Sequence, residues 1–230
     1  FKYGHTRMSF WQKTVEFLQF PFNLYAFKDG IYIEGTHKDY PESLGAKVLA
    51  VAGIPISEAL QAIEPTVPAE NTQYFKAYGI NNLRYPEVLH AQEVTKNLQQ
   101  EIVLKLEKNS RVFNQSFTVL AKGKHIPTHR GFVMPDENWL SSRSQDTTPL
   151  YLQQLDKVYL EEYLPQEQAM YVRHSRIKDE TGESTQDFYK RVFEEVVSND
   201  AEKLIIDLRL NGGGNNYLNN DIIKGLIQTE

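Results

Sequence analysis

The chain has 230 residues, of which 40% are hydrophobic and 24% charged, a composition typical of globular domains with enough apolar material for a core. Its net charge is −5 without a basic block, which argues against nucleic acid or an anionic membrane as the main partner. The absence of cysteine excludes zinc–thiolate sites, disulfides and cysteine nucleophiles.

Neither end of the chain has the character of a natural terminus. Residues 1–10, FKYGHTRMSF, contain no apolar signal segment and no initiating methionine, and residues 221–230 resemble an amphipathic helix that is cut short. We therefore expect the chain to be a segment of a longer protein. It contains no run of about 18 apolar residues, so no transmembrane helix is expected.

A short helix is predicted first. Residues 9–19 place apolar side chains at roughly helical spacing after a serine, and Pro21 ends the pattern. These features predict a helical lead-in over residues 1–20.

Strands and a second helix follow this lead-in. NLYAF and IYIEG predict two short strands that are joined at Asp29-Gly30, a turn signal. GAKVLAVAGIPI (45–56) predicts a strand, a tight turn and a short strand. Ser57 is expected to cap the helix SEALQAI, which stops before Pro65.

The next part of the chain contains helical material, a hairpin and a polar stretch. Aromatic and aliphatic spacing predicts helix over residues 71–89, broken at Gly79 and Pro86. Two alternating runs in residues 101–121 predict a hairpin. Residues 122–150 are polar and contain three prolines, so we predict a linker or long surface loop there.

After residue 150 the pattern changes. KVYLEEYL and QAMYVRHSRI predict paired strands, and Ser184 is expected to cap the helix TQDFYKRVFEEVV. KLIIDLRL (203–210) is a nearly continuous apolar strand. Strand, helix, apolar strand, turn and helix in this order indicate a mainly parallel sheet that is covered by helices.

The three glycines at 212–214 lie where open α/β sheets place ligands, at the carboxyl end of a buried strand. Glycine allows positive φ and lets backbone N–H groups approach an anion or oxyanion. A tight turn without a ligand is the alternative explanation. The sequence has neither a GxGxxG spacing nor a Lys-Ser/Thr pair after the glycines, so we expect no nucleotide cofactor.

LIIDLRLNGGGNN, which contains these glycines, resembles the Asp-Leu-Arg-x-Asn-x-Gly-Gly signature of the tail-specific, or C-terminal processing, serine peptidases. Gly4-His5-Thr6 is similar to a motif of that family's N-terminal helical region. Residues 29–63 resemble the PDZ-like module that precedes the catalytic core. The strands and helix before the signature match the start of that core.

The resemblance implies an α+β protein in which a PDZ-like module precedes the start of an α/β peptidase core with a mainly parallel sheet. The lead-in would span residues 1–20, the PDZ-like module 21–121, the linker 122–150, and the N-terminal part of the core 151–230. Family members act mostly outside the cytoplasm on peptide or protein C-termini. We expect the same location and partners here, without a metal or cofactor.

The resemblance also implies a mechanism, hydrolysis near C-termini by Ser–Lys acyl transfer. Candidate oxyanion-hole donors are the amides of Gly212, Gly213 and Gly214, and Asp207, Arg209 and Asn211 would hold the turn in shape. In the family the serine and lysine lie downstream of this turn. We therefore expect both beyond residue 230, and this chain alone to be inactive.

A PDZ-like module binds an extended peptide along a sheet edge beside a helix. The resemblance places that edge at about Gly30 to Glu34 and the groove helix at Ser57 to Ile63. The candidate peptide-binding residues are Gly30, Ile31, Tyr32, Ile33, Leu60 and Ile63. The alternative is that their apolar side chains form the core of a small domain.

Two other functions remain open from the sequence. One is a non-catalytic relative that binds peptides or acts as a scaffold, and the other is an unrelated α/β enzyme that holds an anion at the glycine turn. Ser175 and Lys178 have the S-x-x-K spacing of penicillin-binding enzymes, but the surrounding motifs are missing, so chance explains them better. His125 and His129 flank a proline in a motif that contains no glutamate, and they are expected to be solvent-exposed.

Overall fold

The computed structural model describes residues 11–12, 15–143 and 148–228. The chain divides into two compact units, Phe1–Ser144 and Gln145–Glu230. Both contain helices and strands, so the predicted α+β class is confirmed at this level.

The described start of unit 1 is extended. Strands β1 (Trp11–Gln12) and β2 (Val15–Glu16) pair antiparallel, so the predicted helix is wrong in this part. Tertiary hydrogen bonds replace helical ones just after it: Leu18 N donates to the Glu87 carboxylate at 3.0 Å and Phe20 N to the Arg84 carbonyl at 2.8 Å. Gly4-His5-Thr6 lies outside the described residues.

Unit 1 is built on a seven-stranded antiparallel sheet. The strands of this sheet are β3 (Phe22–Phe27), β4 (Gly30–His37), β5 (Lys47–Val51), β6 (Ile54–Pro55), β7 (Glu101–Lys108), β8 (Arg111–Thr118) and β11 (Trp139–Ser141). Two further short strands, β9 (Thr128–His129) and β10 (Phe132–Val133), pair with each other outside the sheet. The order is β11-β4-β5-β7-β8, with β3 also paired to β4 and β6 to β5. The predicted β3–β4 and β7–β8 hairpins are confirmed.

Among the described residues of unit 1, three α-helices accompany this sheet: α1 (Ile56–Ile63), α2 (Thr72–Tyr78) and α3 (Pro86–Ala91). A 3-10 turn, Ile80–Arg84, connects the last two. The predicted Ser57 cap is wrong, because β6 leads directly into α1 and Pro55 occupies the cap position without a side-chain hydrogen bond. Ala59 and Ile63 turn the buried face of α1 to the main core.

The segment predicted as a linker contains short strands that belong to unit 1. β11 pairs with β4, and the side chains of Val133 and Trp139 are buried. The buried carboxylate of Glu34 accepts hydrogen bonds from Val133 N at 2.9 Å and Ser141 Oγ at 2.8 Å. These contacts explain why a polar, proline-containing stretch is nevertheless ordered.

The described part of unit 2 has a three-stranded sheet with two α-helices. Its elements are β12 (Tyr159–Leu164), β13 (Ala169–His174), α4 (Thr185–Ser198), β14 (Lys203–Asp207) and α5 (Asn220–Gln228). β12 and β13 are antiparallel whereas β13 and β14 are parallel, so the prediction of a mainly parallel sheet is wrong for the described residues. The connection 165–168 is long enough only for a hairpin, and the crossover through α4 allows the parallel pair.

Two further predictions for unit 2 are confirmed. Ser184 caps α4, its hydroxyl accepting a hydrogen bond from Asp187 N at 3.0 Å. The helix buries Phe188, Tyr189 and Val192 against Met170 and Val172 of β13. Within the described ranges, no helix is long and apolar enough to cross a membrane.

Candidate functional site

The glycine turn, residues 211–215, follows β14 at the carboxyl end of the parallel pair. The chain that leaves β13, residues 175–177, runs beside it. Gly212 N donates to the Ser175 carbonyl at 3.2 Å, Ile177 N to the Gly213 carbonyl at 3.0 Å, and Asn215 N to the Ile177 carbonyl at 2.9 Å. The turn is therefore held by strand-like pairing on one side.

Two of the three glycines are required by the backbone geometry. Gly213 has φ +82, a left-handed conformation that side chains disfavour. Gly214 has φ +148, and a Cβ atom there would lie 2.0 Å from the Ile177 carbonyl oxygen. A Cβ at Gly212 would meet nothing within 4 Å. The shape of the turn therefore explains glycine at 213 and 214 but not at 212.

The three glycine amides differ in their partners. Gly212 N donates to Ser175, and Gly213 N donates to Asn211 Oδ1 at 2.7 Å. Gly214 N has no acceptor among the residues that the structure describes, and Gly214 is exposed. Of the three predicted donors, the Gly214 amide is thus the one that is free for an external acceptor.

Asn211 ties the turn to β13. Its Nδ2 donates to the His174 carbonyl at 2.8 Å, while its Oδ1 accepts from Gly213 N. The side chain thus bridges the last residue of β13 and the middle of the turn. This geometry fits the supporting role that the sequence predicted for it.

Asp207 and Arg209 form a second support. The Asp207 carboxylate accepts from Arg209 Nε at 3.0 Å, from Arg209 N at 3.0 Å and from Tyr171 Oη at 2.8 Å. Burial would raise the pKa of Asp207, but these hydrogen bonds, chiefly from Arg209, lower it to about 2. Burial and the bond to Asp207 raise the pKa of Tyr171 to about 12. Asp207 therefore stays ionised and fully engaged, which suits a structural role better than proton transfer.

Arg209 is held from its other side by an aromatic ring. Its guanidinium lies 3.7 Å from the centre of the Tyr151 ring. Tyr151 belongs to a loop whose carbonyl oxygens accept hydrogen bonds from the buried Arg173 of β13. Neither Arg173 nor Tyr151 could be identified from the sequence, because the two residues are 22 positions apart and their contact leaves no local pattern.

His174, also missed from the sequence, is buried beneath the turn. Its Nδ1 lies 3.1 Å from Tyr189 Oη, and its Nε2 is buried. Burial lowers its pKa from the ordinary value of 6.5. A lone histidine in an apolar strand gives no sequence signal, although its carbonyl anchors Asn211.

The lowered pKa predicts a pH-dependent stability for unit 2. Above pH 6.5 His174 is neutral in both states, so its contribution to stability is fully present. As the pH falls below 6.5, the unfolded chain binds the proton first, and the free energy of unfolding decreases. Urea unfolding between pH 7.5 and 5, followed by the NMR methyl signal of the buried Met170, should show this decrease.

His174→Gln is the matched control, because it keeps a polar side chain but cannot titrate. We expect a smaller decrease in this variant over the same pH range. An equal decrease in both proteins would show that other groups cause it.

Ser175 and Lys178 do not form a catalytic pair. Ser175 is fully buried and Lys178 is exposed, and both follow β13 in non-helical backbone. The helical face that an S-x-x-K site requires is absent at these residues, which agrees with a chance match. In the described part of the chain, no group of three or more histidine and acidic side chains could hold a metal ion.

The predicted peptide groove of unit 1 has a different arrangement. β4 pairs with β3 on one side and with β5 and β11 on the other, so the prediction that Gly30 to Glu34 form an edge strand is wrong. Ile31, Ile33 and Ile63 are buried in the main core, and Leu60 packs against it. The half-buried Gly30 and Tyr32 lie at the start of β4, where Tyr32 Oη donates to Asp29 Oδ2 at 2.7 Å. The apolar residues therefore act as core, the alternative that the sequence left open.

The edge of β3 is closed by a side chain. Asn81 Oδ1 accepts from Leu24 N at 2.8 Å, and Asn81 Nδ2 donates to the Leu24 carbonyl at 3.1 Å. This amide occupies both backbone groups that an added strand would use at Leu24. The neighbouring Leu83 is fully buried, so the segment that carries Asn81 is part of the core.

Removing this amide should destabilise unit 1. Asn81→Ala leaves the two backbone groups of Leu24 without their protein partners, at an expected cost of about 1–3 kcal/mol. Urea unfolding followed by tryptophan fluorescence is a suitable measurement, because Trp11 and Trp139 both belong to unit 1. Asn71→Ala, which removes the exposed cap of α2, is a control with an expected loss of about 1 kcal/mol or less. Equal decreases in the free energy of unfolding for the two variants would contradict the conclusion that Asn81 closes the edge of β3.

The comparisons with known proteins do not assign the chain to a family. No protein-family model matches it, and no curated protein matches it.

Proposed function

We propose that this chain is a segment of a serine peptidase that cleaves peptide bonds near protein C-termini by Ser–Lys acyl transfer. In this proposal the glycine turn contributes a donor to the oxyanion hole, and the nucleophile and base come from the protein beyond residue 230. Unit 2 then contains the N-terminal part of the catalytic core, and unit 1 contains the PDZ-like, peptide-binding module over residues 21–121. The signature Asp-Leu-Arg-Leu-Asn-Gly-Gly-Gly is the sequence basis of the proposal.

The observation that supports it most directly is the Gly214 amide. An oxyanion hole needs backbone N–H groups that are fixed in place and not already bonded. Gly214 N lies in a turn that is held by backbone hydrogen bonds to residues 175–177 and supported by the side chains of Asp207 and Asn211. The carboxyl end of β14 is also the position where an α/β sheet presents such groups.

The anion-binding alternative has less support. A phosphate site of the glycine-loop type uses several backbone amides at once. In this turn Gly212 and Gly213 donate to protein acceptors. One free amide suits a single oxyanion better than a phosphate group with several acceptor oxygens.

A cleavage assay on a longer form of the protein tests the proposal. The form would extend past residue 230 through the serine and lysine that the resemblance implies, and the substrate would be an unstructured peptide with an apolar C-terminus. We expect cleavage, and a decrease in kcat for Gly214→Ala that approaches the roughly 10²–10³-fold lost with one oxyanion-hole donor. Alanine keeps the N–H, but its Cβ would lie 2.0 Å from the Ile177 carbonyl oxygen and would displace the amide from its position. Gly212→Ala is the matched control and should retain activity, because a Cβ there meets no neighbour.

Both variants must be shown to be folded at the assay temperature, by circular dichroism and by the Met170 methyl signal. A folded, longer protein that does not cleave the peptide would contradict the peptidase proposal and favour a non-catalytic binding protein. Equal activity of the two glycine variants would contradict only the proposal that the Gly214 amide contributes to the oxyanion hole.

A further inference from the structure

We propose that the free edge of β8 binds an extended peptide by strand addition, with Val112, Asn114 and Ser116 supplying the backbone hydrogen bonds. The choice of a peptide as partner rests on the proposed function. The location rests on the sheet itself, since the edge predicted from the sequence, β4, is interior and the edge of β3 is occupied by Asn81.

The hydrogen-bonding phase of β8 determines which groups face outward. Val119 N, just after the strand, donates to the Gln100 carbonyl on the β7 side, whereas Thr118 N donates to Tyr40 Oη at 3.2 Å. N–H groups alternate sides along an antiparallel strand. The amides of Val112, Asn114 and Ser116 therefore point away from β7, on the same side as that of Thr118.

Two groups on this outward side already have partners in the protein. Tyr40 occupies the Thr118 amide, and Gln115 Nε2 donates to the Ser116 carbonyl at 2.8 Å. In the described chain, no residue accepts a hydrogen bond from the amides of Val112, Asn114 and Ser116, and no strand pairs with β8 on this side. A peptide could pair along residues 112–116 if the Gln115 side chain rotated away from its acceptor.

The edge also lacks the features that usually prevent strand addition. Natural edge strands are commonly short, bulged, or protected by proline or charged side chains. β8 is eight residues long and pairs with β7 without a register shift, and it contains no proline. Arg111, at its first position, is its one charged residue. Such an edge can act as a template for an extended chain.

The two sides of β8 indicate which peptides would fit. Phe113 and Phe117 contribute to the core on the inner face, and Val112 is 50% exposed on the outer face. An added strand places alternate side chains on these two faces. The preferred ligand is therefore an extended segment in which apolar residues alternate with polar residues.

The β7 sequence provides a probe with that pattern. The probe is an acetylated and amidated peptide with the sequence EIVLKLEK, which is that of residues 101–108. In the protein this segment pairs with the other side of β8. We expect NMR shifts and slower amide hydrogen exchange at Val112, Asn114 and Ser116 when it is added. A peptide N-methylated at alternate residues loses the required donors and should not bind.

Asn114→Pro and Asn114→Ala form a matched pair of variants. Proline removes the outward N–H but leaves the β7 ladder intact, since edge strands tolerate it at such positions. We expect at least tenfold weaker binding for Asn114→Pro and unchanged binding for Asn114→Ala. If Asn114→Pro does not fold, the N-methylated peptide tests the same point on the unmodified chain.

Three outcomes would overturn this proposal. One is the absence of shifts at millimolar peptide, and another is binding that persists in Asn114→Pro or shifts residues elsewhere. The third is self-association through the same amides that the peptide cannot displace, which would make a second copy the partner. The experiment involves no catalysis and no residue of unit 2, so its failure is distinct from failure of the cleavage assay.

Discussion

Replacing Gly214 with alanine is expected to lower the free energy of unfolding of unit 2 by about 3 kcal/mol. The new Cβ would lie 2.0 Å from the Ile177 carbonyl oxygen and 2.8 Å from its carbon, both backbone atoms that cannot rotate away. The backbone must therefore shift, and overpacking combined with an unfavourable φ of +148 has costs of this size.

Urea unfolding followed by the Met170 methyl signal measures this effect, because Met170 is buried in β13. Gly212→Ala is the control and should change the free energy of unfolding by about 0.5 kcal/mol or less. If the two variants were equally stable, the close approach of Gly214 to Ile177 would be wrong, and with it the account of why glycine occupies this position.

Replacing Arg173 with methionine is expected to destabilise unit 2 by about 3 kcal/mol. The Arg173 side chain is fully buried, and its guanidinium donates to the carbonyl groups of Tyr151, Gln153, Gln154 and Lys157. Methionine keeps much of the volume but removes all four of these part-buried, charge-assisted hydrogen bonds. The loop 150–157 should then lose its attachment to β13.

Arg173→Lys provides a graded comparison. Lysine keeps the charge but lacks the planar fork that reaches four carbonyl groups, so we expect a loss that is smaller than that of methionine. Hydrogen exchange of residues 150–157 should be faster in both variants. A lysine variant as stable as the original protein would contradict the role of the fork.

Arg173 also connects the stability of unit 2 to the glycine turn. It positions the loop that places the Tyr151 ring over Arg209, and Arg209 bonds the Asp207 carboxylate at the end of β14. Loosening this loop removes one support of the turn. The effect on the turn can be read from the NMR signal of the Gly214 amide in the two Arg173 variants.

Local sequence signals predicted much of the secondary structure. The β7–β8 hairpin follows from alternating strands around Asn109-Ser110, two residues that adopt positive φ of 51 and 63 in the tight turn. The α4 cap follows from Ser184, whose hydroxyl needs only the backbone three residues later. These features involve residues that are close together in the chain, so a short stretch of sequence is enough to predict them.

The features that depend on distant contacts could not be predicted in this way. The interior position of β4 depends on β11, which comes from a segment that looks like a linker, and on Glu34, which binds that segment. The closure of β3 depends on one asparagine 57 residues away. The sequence therefore predicted the strands β3 to β8 but not β1, β2 and β9 to β11, and it placed the free edge on the wrong strand.

The candidate site shows the same division. The motif identified the turn and its supports Asp207 and Asn211, because these residues are close together in the chain. It could not distinguish the three glycine amides, since the acceptor of Gly212 N, the Ser175 carbonyl, comes from another strand end. Arg173 and His174 were missed because a single polar residue in an apolar strand has no pattern that reveals its partners.

The proposed role of the Gly214 amide can be tested by replacing residue 214 with glycolic acid in the longer protein. This change substitutes an ester oxygen for the backbone N–H and adds no atom to the crowded turn. We expect kcat for peptide cleavage to fall about 10²–10³-fold with KM nearly unchanged. The melting temperature should decrease slightly, because the Gly213 carbonyl, which accepts from Ile177 N, becomes a weaker ester acceptor. Cleavage at the same rate by the ester and the amide forms would contradict the proposal that Gly214 N stabilises the oxyanion.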